Sequence, residues 1–290
     1  MSPGSYVLAA AAVAAFIGVC VWLAASVERA PVARTRVEQF ARRHDLLITP
    51  ANGNRVIGYL ATTRRWRTVG LACGLLASIG WAVAHSGLGV DALTLFAGWF
   101  VGALVAEVRL ASLTSGPRRA ALLLPRVPAA YLPRFAWALL PAAALVSVAV
   151  GAATAIAALG GTDVDAAALV WFGAAITVAV VVRVVQLRVL RRPQPVAEPD
   201  VLAADDAIRS RSLHVLAGGG ASLVLYCVLG QAAALATLLP AGVLPAAGAL
   251  PVQAAAVVGI PLLGWLVATA RWPIRRSAGP AGALPANEAS

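Results

Sequence analysis

Apolar stretches of this chain alternate with segments that hold all of its arginines. From Tyr6 to Ala270 the sequence carries about seven long apolar stretches. All 23 basic side chains are Arg, and they fall into alternate segments, at residues 27–67, 108–134, 183–213 and 271–290. The segments between these, on the other side of the apolar stretches, hold no Arg. This one-sided pattern is typical of a polytopic membrane protein, because short Arg-rich loops stay cytoplasmic.

The pattern predicts an all-α membrane helix bundle with about seven transmembrane helices. A span needs about 20 apolar residues to cross the hydrocarbon core, and the predicted spans are 6–26, 68–86, 91–108, 135–159, 166–187, 214–238 and 252–270. The first is a retained N-terminal span, with a cleaved signal peptide as the alternative, and the others form three hairpins. We expect the N-terminus outside, the C-terminus in the cytoplasm, and one integral membrane domain over 1–290 with a disordered tail at 277–290.

The composition supports this fold class and restricts the kinds of partner that we expect. Hydrophobic residues make up 60% of the chain, charged residues 12%, and the mean hydropathy is +0.83, which excludes an ordinary soluble domain. The net charge of +11 faces anionic headgroups on the cytoplasmic side of the bilayer. Nucleic acid is not expected as a partner, because no nucleic-acid-binding motif accompanies the basic runs. Arg without Lys, beside abundant Ala, Gly, Val and Pro, indicates a GC-rich bacterial genome and hence a bacterial plasma membrane.

Small and polar residues within the spans predict contacts between helices. Gly70 and Gly74 lie four residues apart in the second span, and Gly98 and Gly102 repeat that spacing in the third. Such pairs let helix backbones approach closely, and we expect packing within the bundle rather than homodimerisation. Gln231 is the most deeply placed amide, and we expect it to form an interhelical hydrogen bond.

Ionisable residues are missing from the middle of the predicted spans. Such a residue at mid-depth would indicate a functional site, because burying a charge in lipid is costly. Glu107 lies near the inner end of the third span, where pairing with Arg109 or another interfacial Arg would hold it ionised at the headgroups. The sequence therefore argues against a proton-driven transporter, while a passive or lipid-handling path stays open.

No cofactor, metal or catalytic site is predicted. The three His residues, at positions 44, 85 and 214, are scattered over both sides of the membrane, and the three Cys, at 20, 73 and 227, lie within spans without a CxxC pair. No Walker loop, dinucleotide-binding fingerprint or GxSxG motif is present. The run Gly218-Gly219-Gly220 lies inside a span and does not follow a strand, so it does not resemble a phosphate-binding loop.

The first cytoplasmic segment predicts a surface helix and a basic cluster. Apolar residues at helical spacing among arginines indicate a short amphipathic helix on the inner leaflet, over about 32–43. Thr49-Pro50 predicts the N-cap and first residue of the next helix. That helix runs into Arg64, Arg65, Trp66 and Arg67, which we expect to contact anionic lipid at the headgroups. A soluble phosphate ligand is the alternative for this cluster.

The cytoplasmic segment 191–213 predicts a second helix. Pro199 or Asp200 opens it, and Asp205 and Arg209 form an i,i+4 pair. Adjacent Asp205 and Asp206 could hold Mg²⁺ on a diphosphate, as in an enzyme acting at the cytoplasmic surface. However, aspartate-rich motifs of that kind need further Asp at fixed spacing, and here Arg209 follows. A solvated helix face is therefore the preferred interpretation.

Several short runs resemble a group of uncharacterised actinobacterial multi-pass membrane proteins. They are Leu47-Ile48-Thr49-Pro50-Ala51-Asn52, Tyr59-Leu60, Thr63-Arg64-Arg65-Trp66-Arg67 and Ala203-Ala204-Asp205-Asp206-Ala207-Ile208-Arg209. The resemblance implies a bacterial plasma membrane location and no activity. The sequence favours a non-enzymatic scaffold or partner subunit, for which a membrane protein is the expected partner. The alternatives are a permease-like or lipid-handling protein with a cavity between hairpins, and a membrane enzyme.

Overall fold

The chain folds into a bundle of long α-helices in this computed structural model. The structure describes residues 18, 22, 26, 31–84, 91–112, 119–120, 127–195, 198–236 and 246–270, without the side chains of 84, 111–112, 119–120, 194–195 and 246–257. Within these ranges the helices are α1 (Arg34–His44), α2 (Pro50–Ala84), α3 (Ala92–Ser112), α4 (Arg134–Leu159), α5 (Ala166–Arg191), α6 (Pro199–Ala236) and α7 (Ala246–Thr269), and a short 3₁₀ helix covers Pro128–Ala130.

Five of these helices, α2 to α6, are long and apolar enough to cross a bilayer. Helix α7 contributes a shorter apolar stretch, Val258–Thr269. The five middle predicted spans each lie largely within one of the five long helices. The predicted first span and the predicted tail lie outside the described residues, except that 18, 22 and 26 are helical. The helices are those of a multi-pass membrane protein, while the count of seven spans and their orientation stay predictions.

Helix α6 lies at the centre of the bundle and packs against α2, α3, α4, α5 and α7. Its side chains are buried almost without interruption from Ala204 to Gln231. The glycine run allows this close packing: Gly218 lies against Gly264 of α7, Gly219 against Phe100 of α3, and Gly220 against Val182 of α5. The sequence predicted three hairpins, in which α6 pairs only with α7. That prediction was incomplete, because α6 also packs against α2, α3, α4 and α5.

The second predicted hairpin, formed by α4 and α5, also packs against α6. Helices α4 and α5 each pack more extensively on α6 than on one another. The expected hydrogen bond of Gln231 is present, since its Nε2 donates to the Ser147 Oγ of α4 over 2.8 Å. Nearer the start of α6, Ser222 Oγ donates to the carbonyl of Ile260 in α7 over 2.9 Å.

The glycine pairs of α2 and α3 bring the two helix backbones into contact, as their spacing predicted. A Cβ added at Gly98 would lie 2.6 Å from the Cα of Gly74, and one added at Gly74 would lie 2.6 Å from the carbonyl oxygen of Thr94. The other two positions, Gly70 and Gly102, meet backbone atoms in the same way. Close approach of this kind replaces the hydrophobic driving force that lipid removes.

Helices α2 and α6 are too long for the hydrocarbon core alone. Their 35 and 38 residues correspond to about 52 and 57 Å, against about 30 Å of hydrocarbon. Their N-terminal parts, which carry arginines, form a small separate core with α1 and the turn after it. This core consists of Phe40, Leu46, Val56, Tyr59, Ala204, Ala207 and Ile208. Helix α1 therefore packs on other helices of the protein, which an inner-leaflet location alone did not predict.

The start of α2 differs in detail from the predicted cap. The helix begins at Pro50 as expected, but the Thr49 hydroxyl is buried and has no hydrogen-bond partner. Instead, Asn52 accepts from the Thr49 N–H over 3.0 Å and donates to the carbonyl of Leu47 over 2.8 Å. Its amide also reaches the carbonyl of Asp200 over 3.4 Å, so the start of α2 is joined to the start of α6.

Beside the helices there is a short stretch of paired extended backbone. Arg119–Ala120 and Gln194–Pro195 are two-residue strands that pair antiparallel. They join the connection between α3 and α4 to the connection between α5 and α6. The backbone pairing therefore ties two loops that both lie in Arg-rich segments of the sequence.

Candidate anion-binding site

Helix α1 forms one side of a large open pocket, which we call the arginine pocket. The pocket has a volume of about 920 Å³, toward the upper end of the range of about 300–1,000 Å³ for small-molecule sites. Arg36, Phe40 and Arg43 recur at helical spacing along this side, and Arg42 adjoins them. Because Phe40 is buried in the small core, α1 is held with this face toward the pocket.

Helix α2 forms the other long side of the arginine pocket. Residues of α2 that line it recur at intervals of three or four positions, which places them on one face of the helix: they are Tyr59, Leu60, Thr63, Arg64, Arg67, Thr68 and Leu71. Trp99 of α3 and Arg211 of α6 complete the wall. The Arg67 guanidinium lies 5.1 Å from the centre of the Trp99 ring, so a cation and an aromatic surface meet where the apolar part of the bundle begins.

The charge of the arginine pocket is one-sided. Among the described residues that line it, six are Arg and none is acidic. The salt bridges formed within the described ranges involve other arginines, and five lining arginines take no part in them: Arg36, Arg42, Arg43, Arg67 and Arg211. The Nε of Arg67 is moreover buried without a hydrogen-bond partner. Guanidinium groups gathered along one wall repel one another, and an anion would relieve that repulsion. Glu107, which lies beneath this lining, also interacts electrostatically with Arg67 and Arg211.

His44, at the end of α1, is a neutral member of the wall. Burial lowers its pKa from 6.5 to about 4, even though the hydrogen bond to the Phe40 carbonyl acts in the opposite direction. Because that carbonyl can only accept, His44 Nδ1 donates to it over 2.9 Å, which leaves Nε2 as an acceptor in the neutral ring. His44 therefore adds no charge to the pocket near pH 7.

The predicted cluster of four residues is divided by the geometry of α2. Arg64 and Arg67 line the arginine pocket, whereas Arg65 and Trp66 are not among its lining residues. Trp66 instead lies between cations, with the guanidinium of Arg65 6.0 Å and that of Arg109 5.0 Å from its ring centre. Adjacent positions on a helix point about 100° apart, which explains why a contiguous cluster in sequence does not form one site.

Asp205 is the centre of a second group of arginines, which we call the Asp205 cluster. Arg55 and Arg192 donate to its Oδ1 over 2.9 and 2.7 Å, and Arg209 donates to its Oδ2 over 2.9 Å. Asp205 and Arg209 are both 0% exposed. The predicted i,i+4 pair is thus present, but the solvated helix face is wrong, because the starts of α2 and α6 pack together and enclose the pair.

The rest of the Asp205 cluster fixes the end of α5. Arg209 also donates to the carbonyls of Leu190 and Arg192, over 2.9 and 3.1 Å. The neighbouring Asp206 accepts from the Tyr131 hydroxyl over 3.1 Å. Both Asp205 oxygens already hold guanidinium groups, so the arrangement suits the joining of helices better than the binding of Mg²⁺ by paired aspartates.

Glu107 lies beneath the arginine pocket and not at the surface. It is 2% exposed, its Oε1 is 3.5 Å from the Tyr59 hydroxyl, and the Ser212 hydroxyl is also within hydrogen-bonding reach. Tyr59 itself lines the pocket. The Glu107 carboxyl is therefore enclosed by the protein, because α2 and α6 cover this part of α3, while its depth at the headgroups stays a prediction.

The arginines of α1 and Arg211 were not assigned to a site from the sequence. The usable signal was the spacing of Arg36, Phe40 and Arg43 beside that of Arg64 and Arg67, which predicts two basic faces but not that they meet. Among the described residues no group of three or more His, Cys, Asp or Glu side chains could hold a metal ion. No protein-family model matches the chain, and no curated protein or solved structure is significantly similar to it. The resemblance to actinobacterial membrane proteins therefore stays a prediction.

Proposed function

We propose that this protein is a lipid-handling membrane protein that binds the anionic head group of an amphiphile in the arginine pocket. The observation that carries the proposal is that five of the pocket arginines take no part in the described salt bridges: Arg36, Arg42, Arg43, Arg67 and Arg211. Cations gathered without a paired carboxylate repel one another, and guanidinium groups bind phosphate through paired, charge-assisted hydrogen bonds. Leu71 and Trp99 at the same pocket offer apolar contact to the chain of the ligand.

The proposed setting is a bacterial plasma membrane, with seven spans, the N-terminus outside and the arginine pocket on the cytoplasmic side. The support is the restriction of every Arg to alternate segments of the sequence. Anionic lipid is abundant on the cytoplasmic leaflet and attracts basic segments by about 1 kcal/mol per Arg near the surface. A single Cys at exposed position 163 would react with an impermeant label from outside, and one at Gly58, where added atoms meet nothing within 4 Å, would be protected. The reverse result would overturn the orientation.

The other two functions considered from the sequence have less support. A scaffold or partner subunit needs no pocket of this size and charge. A membrane enzyme using Asp205 and Asp206 would need accessible carboxylates, whereas Asp205 is buried among three guanidinium groups. The arginine pocket therefore favours lipid handling among the three functions.

Retention of lipid by the purified protein tests the proposal. We expect protein in a neutral detergent to retain added phosphatidylglycerol in preference to phosphatidylcholine, measured by native mass spectrometry. The double variant Arg64→Gln, Arg67→Gln should lose this preference, because it removes two guanidinium groups from the α2 side. Arg65→Gln is the matched control: it changes the net charge on the same helix turn but lies outside the pocket lining, and it should behave as wild type.

Two outcomes would contradict the proposed function. Equal retention of phosphatidylglycerol and phosphatidylcholine by the wild type would mean that the pocket does not select an anionic head group. An equal loss of selection in Arg65→Gln and in the double variant would assign the effect to general surface charge, without any role for the arginine pocket.

A further inference from the structure

Resting on the proposed function, we infer that the head group bound in the arginine pocket carries two phosphate groups. The pocket holds two separate sets of guanidinium groups on two different helices. Arg36, Arg42 and Arg43 belong to α1, while Arg64 and Arg67 belong to α2. Each set is large enough to bind one phosphate through several charge-assisted hydrogen bonds.

The charge balance of the site favours two phosphates over one. A single phosphodiester carries one negative charge and would leave most of the five lining arginines outside the described salt bridges without compensation. Two phosphates on one head group bring at least two negative charges, and they place them near both sets of arginines. Basic pockets between membrane helices on the cytoplasmic side are known to accept head groups of this kind.

The dimensions of the pocket agree with a ligand of this size. The pocket volume of about 920 Å³ exceeds what one phosphate group fills. Because the pocket is open to the outside, there is also room for the rest of an amphiphile. The sides differ in character along the pocket, since three of the lining residues of α1 are arginines while Leu71 and Trp99 line the part that Arg67 shares. This order fits two phosphates held between α1 and α2 and an apolar portion toward Leu71 and Trp99.

Two sources of such chemistry exist, a lipid with two phosphates and a soluble diphosphate. Cardiolipin represents the first and inorganic pyrophosphate the second. Joining two phosphates raises the effective concentration of the second at its set of arginines. We therefore expect cardiolipin to be retained at least about tenfold better than phosphatidylglycerol at equal phosphate concentration, a minimum set below the roughly 10²–10⁴-fold gain that linked binding can give.

The experiment is a competition on the full-length protein in neutral detergent, read by native mass spectrometry, with cardiolipin, phosphatidylglycerol, phosphatidic acid and phosphatidylcholine. The double variants Arg36→Gln, Arg43→Gln on α1 and Arg64→Gln, Arg67→Gln on α2 should each reduce cardiolipin to the level of phosphatidylglycerol. Arg65→Gln should keep the preference. If inorganic pyrophosphate displaces cardiolipin, the inference is supported and the pocket recognises the two phosphates alone. If pyrophosphate does not displace it, the inference is supported with a lipid as the ligand.

The wild-type comparison decides the inference without depending on the folding of any variant. Equal retention of cardiolipin and phosphatidylglycerol per phosphate, with both above phosphatidylcholine, would overturn the two-phosphate head group while leaving the proposed function intact. Retention of phosphatidic acid equal to that of cardiolipin would also overturn it, because one doubly charged phosphate would then suffice. The absence of any preference over phosphatidylcholine would overturn the proposed function itself.

Discussion

The Asp205 cluster and the arginine pocket use the same side chain in opposite ways. In the cluster, three guanidinium groups surround one buried carboxylate at 2.7–2.9 Å. In the pocket, six arginines line an open space without an acidic residue among the described ones. The two regions are adjacent on α6, where Arg209 belongs to the cluster and Arg211 to the pocket.

The difference shows how the role of an arginine follows from its partners. Desolvation offsets much of the attraction within a buried ion pair, but removal of one partner leaves a buried charge uncompensated. The Asp205 cluster therefore holds α2, α5 and α6 in a fixed arrangement. The pocket arginines outside the described salt bridges contribute less to the fold, and a bound anion would relieve their mutual repulsion. The comparison therefore separates residues that maintain structure from residues that bind a ligand.

The largest effect is expected from breaking the cluster. Asp205→Asn leaves Arg55, Arg192 and Arg209 without their carboxylate, and loss of one member of a buried ion pair costs about 3–5 kcal/mol. Thermal unfolding in detergent should show a large drop in midpoint. Asp200→Asn, at an exposed position in the first turn of α6, is the control and should cost about 1 kcal/mol or less. Similar midpoints for the two variants would contradict a stabilising cluster.

A somewhat smaller effect is expected from the ligand of the arginine pocket. A lipid present at 100 times its dissociation constant stabilises the folded protein by about 2.7 kcal/mol. Phosphatidylglycerol or cardiolipin should therefore raise the unfolding midpoint of the wild type, and the gain should be absent in Arg64→Gln, Arg67→Gln. A full gain in that variant would place the stabilising lipid somewhere else on the protein.

A pH-dependent effect is expected where α1 closes the pocket. His44 has its pKa lowered to about 4 by burial, while an exposed His titrates at about 6.5. The packed state therefore binds fewer protons than the unpacked state between these values, and the stability of α1 packing is complete above about pH 6.5 and is lost as the pH falls toward 4.

Hydrogen exchange of the α1 amides measures this directly. Exchange should be faster at pH 5 than at pH 7 after correction for the intrinsic rate, and His44→Gln should remove the difference. The groups that face His44 are Arg43, Arg211 and His214. An unchanged pH dependence in His44→Gln would assign the titration to one of these neighbours.

The smallest effect is expected from the pocket arginines in the absence of ligand. Removal of Arg36 alone, which is exposed, should change the free energy of unfolding by no more than about 0.5 kcal/mol in neutral detergent, as for most surface substitutions. The midpoint of Arg36→Gln checks this. A loss comparable with that of Asp205→Asn would show that pocket and cluster do not differ in the way described.

The helices and the close contact of α2 with α3 could be predicted from the sequence. Long apolar stretches and the spacing of Gly70, Gly74, Gly98 and Gly102 report directly on lipid exposure and backbone approach. The interhelical bond of Gln231 followed from the cost of leaving an amide unpaired among apolar residues. Each of these inferences needed only one or two helices.

The central position of α6 and the burial of Asp205 could not be predicted in the same way. A helix enclosed on all sides and a helix facing lipid are both apolar, so hydropathy does not distinguish them. Burial of Asp205 depends on Arg55, which lies 150 positions earlier, and a single sequence does not reveal that pairing. The same reason explains why Arg64 and Arg67 were predicted to bind anions while the α1 arginines opposite them were not assigned.

The contact between α2 and α3 has a consequence for tracing the ancestry of this chain. At Gly74 and Gly98 even one methyl group would collide with the facing backbone, so substitution there is restricted whatever happens to the apolar residues around them. Lipid-facing Leu, Val and Ala exchange freely, which erases overall similarity quickly. We expect distant descendants of the same ancestor to keep both glycine pairs, together with the separation between them, after most of the rest has diverged.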